Sequence, residues 1–202
     1  TDLLSLRKML ADLYTASGNY LSAEQQYDQI SADYVAIGAI DQWSQLQLSI
    51  LERSKTGSPE LIEYSKLLRA FLSYQPEENG YELVWQAEQF LQQYPYSPVS
   101  SNVDIIKEKT QLMADEWFLD FMAQVDGFSE EKKFQDAMEL LQTIPEDLLG
   151  EDRQQEVREK TDALVLAEAV ERETLKLERM QDLQRRWNEG MVLVEAEQFD
   201  EA

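Results

Sequence analysis

Carboxylates are the only abundant side chains in this 202-residue chain that could do acid–base chemistry. Asp115/Glu116, Glu130/Glu131 and Glu168/Glu171 stand side by side or one helical turn apart. Two carboxyl groups flanking a glycosidic bond are the machinery of glycan cleavage. With 40 Asp and Glu in the chain, however, such pairs arise without purpose, and all three are expected on solvent-facing helical positions. The rest of a catalytic inventory is missing. There is no His, which removes the commonest general base, the Ser-His-Asp triad and His-containing zinc or di-iron motifs. There is no Cys, hence no thiolate nucleophile, thiolate metal site or disulfide. Neither a Gly-rich phosphate loop nor an Asp-x-Asp-x-Asp-Gly calcium loop occurs. The expectation is a chain that is not an enzyme and uses no cofactor or metal.

Binding is the alternative use of surface residues. Four Trp residues could anchor a partner. Trp117 and Trp187 fall in apolar helical stripes and read as core, whereas Trp43 and Trp85 are candidates for a groove. A net charge of −22 repels phosphate backbones and anionic lipid, so neither nucleic acid nor a membrane surface is an expected partner. No apolar run approaches the roughly 20 residues that a membrane helix needs. Residues 9–52 and 70–106 contain no Lys or Arg. An inward-facing acidic surface there would receive a basic segment of a protein or peptide partner.

The elements that would position these groups are all helical. Gly and Pro are scarce and sit between stretches in which apolar residues recur every three or four positions. Leu10, Ala11 and Tyr14 form one such stripe, Gly18 breaks it, and Tyr20, Ala23, Tyr27 and Ile30 begin the next. The pattern predicts helices over residues 2–16, 20–34, 40–54, 59–74, 81–94, 99–125 and 134–144. Gly57-Ser58-Pro59, Pro76, Pro95, Asp126-Gly127 and Pro145 are read as boundaries. No breaker interrupts the chain between Gly150 and Gly190, so 151–196 is predicted as one helix, on the order of 65–70 Å long. The division expected is repeats over 1–150 and the long helix over 151–202.

The stretch from Met9 to Ile30 resembles one tetratricopeptide (TPR) repeat. A small/large first helix is followed by Gly18-Asn-Tyr20-x-x-Ala23-x-x-x-Tyr27. Phe90-Leu-Gln-Gln-Tyr94-Pro-Tyr-Ser97-Pro98 resembles the repeat endings of bacterial envelope TPR proteins, namely BamD-type outer-membrane assembly lipoproteins and YbgF-like periplasmic coordinators. The resemblance implies all-α, TPR-like hairpins stacked in a right-handed superhelix. It also implies a concave groove lined by the non-motif side of each first helix, here Ser5, Lys8, Asp12 and Thr15. TPR clamps for peptide carboxylates pair a Lys with an Asn one turn later. Lys8 matches the first, but Asp12 replaces the second and would repel a carboxylate.

The function implied is a protein-interaction scaffold of the bacterial envelope, periplasmic or anchored to the outer membrane. The alternatives are a cytoplasmic TPR adaptor or the repeat region of a larger glycan-acting enzyme. Gly190 and Phe199-Asp-Glu-Ala202 match the end of one repeat helix and the start of another, so a longer protein is expected, with any leader or lipid anchor lying outside this chain. The apolar residues of 151–196 could self-associate or pack on the preceding hairpins, and packing is the reading preferred.

Overall fold

The computed structural model describes residues 3–195. Among them the chain is all-α: α1 (Leu3–Ala16), α2 (Tyr20–Asp33), α3 (Gly38–Leu51), α4 (Pro59–Leu72), α5 (Pro76–Asn79), α6 (Glu82–Gln93), α7 (Ser100–Glu130), α8 (Phe134–Leu141) and α9 (Glu151–Glu195), with 3-10 turns at Glu52–Thr56 and Glu146–Leu148. No helix of the described residues is long and apolar enough to cross a membrane. Two compact units form, Thr1–Asp120 with Glu146–Gly150, and Phe121–Pro145 with Glu151–Ala202. The boundary thus falls inside α7 rather than at Gly150.

In the first unit, α1 and α2 make the expected αα-hairpin. Gly18, at φ +78°, turns the chain. Its N–H donates to Thr15 O and the Asn19 N–H to Tyr14 O, the paired bonds of a Schellman ending. Asn19 then caps α2, its side chain accepting from the Ser22 N–H. Ala11 and Ala23 are fully buried and let the two backbones approach. α2 also packs on α3, while α4, not α3, lies along α1. Arg69 of α4 ties that second contact by donating from two nitrogens to Ala16 O at the end of α1. Tyr27, Ile30, Ile50, Leu51, Leu61, Tyr64 and Leu68 fill the space between these helices. Each such burial stabilises by about 1.5–3 kcal/mol.

The Tyr94-Pro-Tyr-Ser-Pro98 motif works locally as its residues suggest. α6 stops at Gln93, and the buried Ser97 hydroxyl accepts the Val99 N–H before α7 starts. Residues 146–150 join this unit through the Tyr81 N–H, which donates to Leu148 O at 2.9 Å.

In the second unit α8 packs on α9, and Val125, Ala137, Leu141 and Leu164 are buried. Lys132 pairs with Glu171 and Lys160 with Asp126 across exposed positions. The helix-ending signal at Gly127 is overridden: α7 continues to Glu130. Lys132, at φ +60°, takes the left-handed position, and the Lys133 N–H closes the turn on Phe128 O. Gly190 sits within α9, as the helix expected over 151–196 requires. The repeat start expected at Phe199–Ala202 lies outside the described residues.

Candidate functional site: a cleft on the first unit

Three of the four groove residues expected on α1 line one cleft, of about 350 Å³. Ser5, Lys8 and Asp12 share a face of α1 at helical spacing, with Met9 beside them. Trp43 enters from α3, Leu68, Phe71 and Leu72 from α4, and Asn102, Ile105, Ile106 and Lys109 from α7. Leu68, Ile106, Asp12 and Asn102 are buried, whereas Met9, Leu72 and Ile105 are exposed.

Polar order inside the cleft starts at Asp12. Lys8 Nζ donates to one carboxylate oxygen at 2.7 Å and the Tyr27 hydroxyl to the other at 2.8 Å. Lys8 Nζ also stands 4.9 Å from the centroid of the Trp43 ring, a cation–π contact, and Tyr27 meets that ring edge-on at 5.6 Å. Trp43 is therefore held by two partners. A second chain of hydrogen bonds joins α3, α4 and α7. The Tyr64 hydroxyl donates to Gln47 Oε1 at 2.8 Å and accepts from Asn102 Nδ2 at 2.7 Å, all three residues being buried.

Two expected site residues lie elsewhere. Thr15 is fully buried, and its hydroxyl donates to Ala11 O, so it cannot reach a ligand in the cleft. It lies between neighbours because α4 covers that end of α1. Trp85, exposed on α6, is not among the cleft residues. The reading of Trp187 as core is also overturned, since it is 67% exposed on α9. Asn102 and Lys109 were not anticipated. The signal for them was the 102, 105, 106, 109 spacing, which puts two polar and two apolar residues on one face of α7.

The cleft carries Lys8 and Lys109 against the single acid Asp12, and that acid is already paired. Lys109 has no ion-pair partner among the described residues. The acidic inner face expected for a basic partner is therefore not what lines this cleft, despite the net charge of −22.

The carboxylate pairs do not converge on a site. Asp115 accepts from the Tyr81 hydroxyl at 2.5 Å, Glu168 from Arg172 and Glu171 from Lys132, while Glu116 and Glu130 are exposed.

Burial pushes the Tyr27 and Tyr64 phenols well above their usual range, with the charge of Asp12 adding to both. Burial, with Glu77 and Asp115 nearby, raises Tyr74 to about 12. A raised folded-state value favours the neutral phenol in the native chain. That stability is fully present below pH 10 and is lost as pH rises through the folded-state values. Urea midpoints are expected to hold from pH 8 to about 10 and then fall, with the tyrosinate absorbance of the buried Tyr27 and Tyr64 appearing together with the loss of helical circular dichroism. A midpoint constant to pH 12 would contradict the burial of these phenols.

No family model, curated protein or solved structure matches this chain.

Proposed function

We propose that this chain is a non-enzymatic interaction scaffold that holds a protein or peptide segment in the first unit's cleft. The observation that carries the proposal is Lys109, without an ion-pair partner among the described residues, beside the exposed apolar residues Met9, Leu72 and Ile105, above a buried, hydrogen-bonded floor. An apolar side chain fits between those three, and an acidic group next to it answers Lys109. An acidic inner face would receive a basic segment, but the charges lining this cleft favour an acidic one. The Gly18–Tyr27 hairpin supports TPR-like stacking in a right-handed superhelix, and Tyr94-Pro-Tyr-Ser-Pro98 supports a bacterial envelope setting.

Peptide display against the purified chain tests the site. Selected peptides are expected to carry an apolar residue beside Asp or Glu. Ile105→Glu should weaken them at least tenfold, and Lys109→Ala should weaken them several-fold and flatten their salt dependence. Ile105 and Lys109 are both exposed, and Lys109 has no ion-pair partner among the described residues, so neither change removes a core contact. Peptides that bind both variants as well as the original chain would sink the cleft as the site. The envelope setting is tested by the start of the full-length gene. A signal peptide with a lipidation Cys supports it, and an uninterrupted cytoplasmic start overturns it.

A further inference from the structure

Helix α9 has two unlike faces. Val157, Thr161, Leu164 and Glu171 are wholly or partly buried on the side that packs within the second unit. The remaining face carries a seven-residue repeat that nothing in that unit covers. Ala163, Val170, Leu177 and Met191 fall at one core position of the heptad. Leu166, Met180, Trp187 and Val194 fall at the other. All eight are exposed, Met180 and Trp187 each by 67%. Only Glu173 and Gln184 interrupt the series. A 3.5-residue apolar spacing kept over residues 163–194, about 48 Å of helix, is a coiled-coil seam and far exceeds a scatter of exposed apolar side chains.

Charge decides what covers the seam. The chain carries −22, and two copies would ordinarily repel. Residues 163–194 hold five basic and six acidic side chains, so this stretch is close to neutral. The positions flanking the seam are Ala167, Ala169, Thr174, Gln181, Leu183, Asn188 and Gly190, with Lys176 the one charge among them. Coiled coils that select a different partner do so through charges at those flanks. This seam has almost none and nothing that penalises an identical helix. We infer that α9 pairs with α9 of a second copy of this chain, giving a homodimer joined along residues 163–194.

Size-exclusion chromatography with light scattering on the whole chain tests this. Between about 1 and 200 µM the mass is expected to rise from the 23.5 kDa of one chain toward twice that value. Leu177→Glu with Met180→Glu should hold the mass at one chain throughout, with helical circular dichroism unchanged because both side chains are exposed in the monomer. Leu175→Glu alters another exposed leucine of the same helix off the seam and should leave the dimer intact. A mass fixed at one chain, a trimer mass, or equal dissociation by Leu175→Glu would each overturn the proposal.

Discussion

Gly80→Ala is expected to lower the unfolding free energy by about 3–5 kcal/mol. A Cβ at this position would stand 2.3 Å from Leu148 O and 2.7 Å from Leu148 Cβ. Those atoms cannot rotate aside, because the Tyr81 N–H donates to Leu148 O at 2.9 Å and holds that backbone in place. Gly80 itself is fixed on both sides: its N–H donates to Pro76 O and its carbonyl accepts from the Tyr74 hydroxyl at 2.7 Å. Its backbone, at φ +47° and ψ −127°, also lies where side chains other than glycine's are strained. Gly18→Ala separates strain from contact. Gly18 has φ +78° with nothing near its missing Cβ, so only about 1 kcal/mol should be lost. Urea unfolding at constant m-value measures both. Equal losses at the two glycines would mean that the Leu148 approach contributes nothing.

Tyr64→Phe should destabilise by about 2–4 kcal/mol while removing a single oxygen atom. That oxygen donates to Gln47 and accepts from Asn102, and all three residues are shut away from water. Its loss leaves a buried amide oxygen and a buried amide N–H without partners, and the cost of orphaned groups exceeds that of one hydrogen bond. The three residues belong to α3, α4 and α7, so the loss should also loosen the cleft floor. Tyr20→Phe is the comparison. Its hydroxyl meets Ser65 at 3.2 Å in a part-buried position where water can take its place, and about 0.5–1 kcal/mol should be lost. A Tyr64→Phe loss no greater than the Tyr20→Phe loss would show that the buried network is satisfied in some other way.

The helices were legible because their signals are local. Gly18 takes the positive φ that the α1–α2 turn requires, Pro59 sits in the first turn of α4, and Pro95 follows the end of α6. The unbroken stretch after Gly150 is one helix to Glu195. Where local signals misled, their magnitude explains it. A glycine inside a helix costs about 1 kcal/mol, which a long hydrogen-bonded helix can absorb. Gly127 accordingly stays helical, and α7 ends at Glu130, with Lys132 just beyond it in a left-handed backbone that no residue pattern foretold.

The sequence by itself thus determined the class of the molecule. It is all-helical, lacks the His and Cys on which most side-chain chemistry depends, and places Ser5, Lys8 and Asp12 on one face of α1. Tertiary structure alone decided what that face meets. Packing of α4 on α1 buried Thr15, and α7 brought Asn102 and Lys109, about 100 residues along the chain, to the same cleft. The Tyr27 hydrogen bond from α2 then took up the second oxygen of Asp12, whose charge Lys8 already offsets within α1. Helical spacing specifies which residues share a face, but which faces meet depends on contacts between distant segments, and no local pattern encodes those.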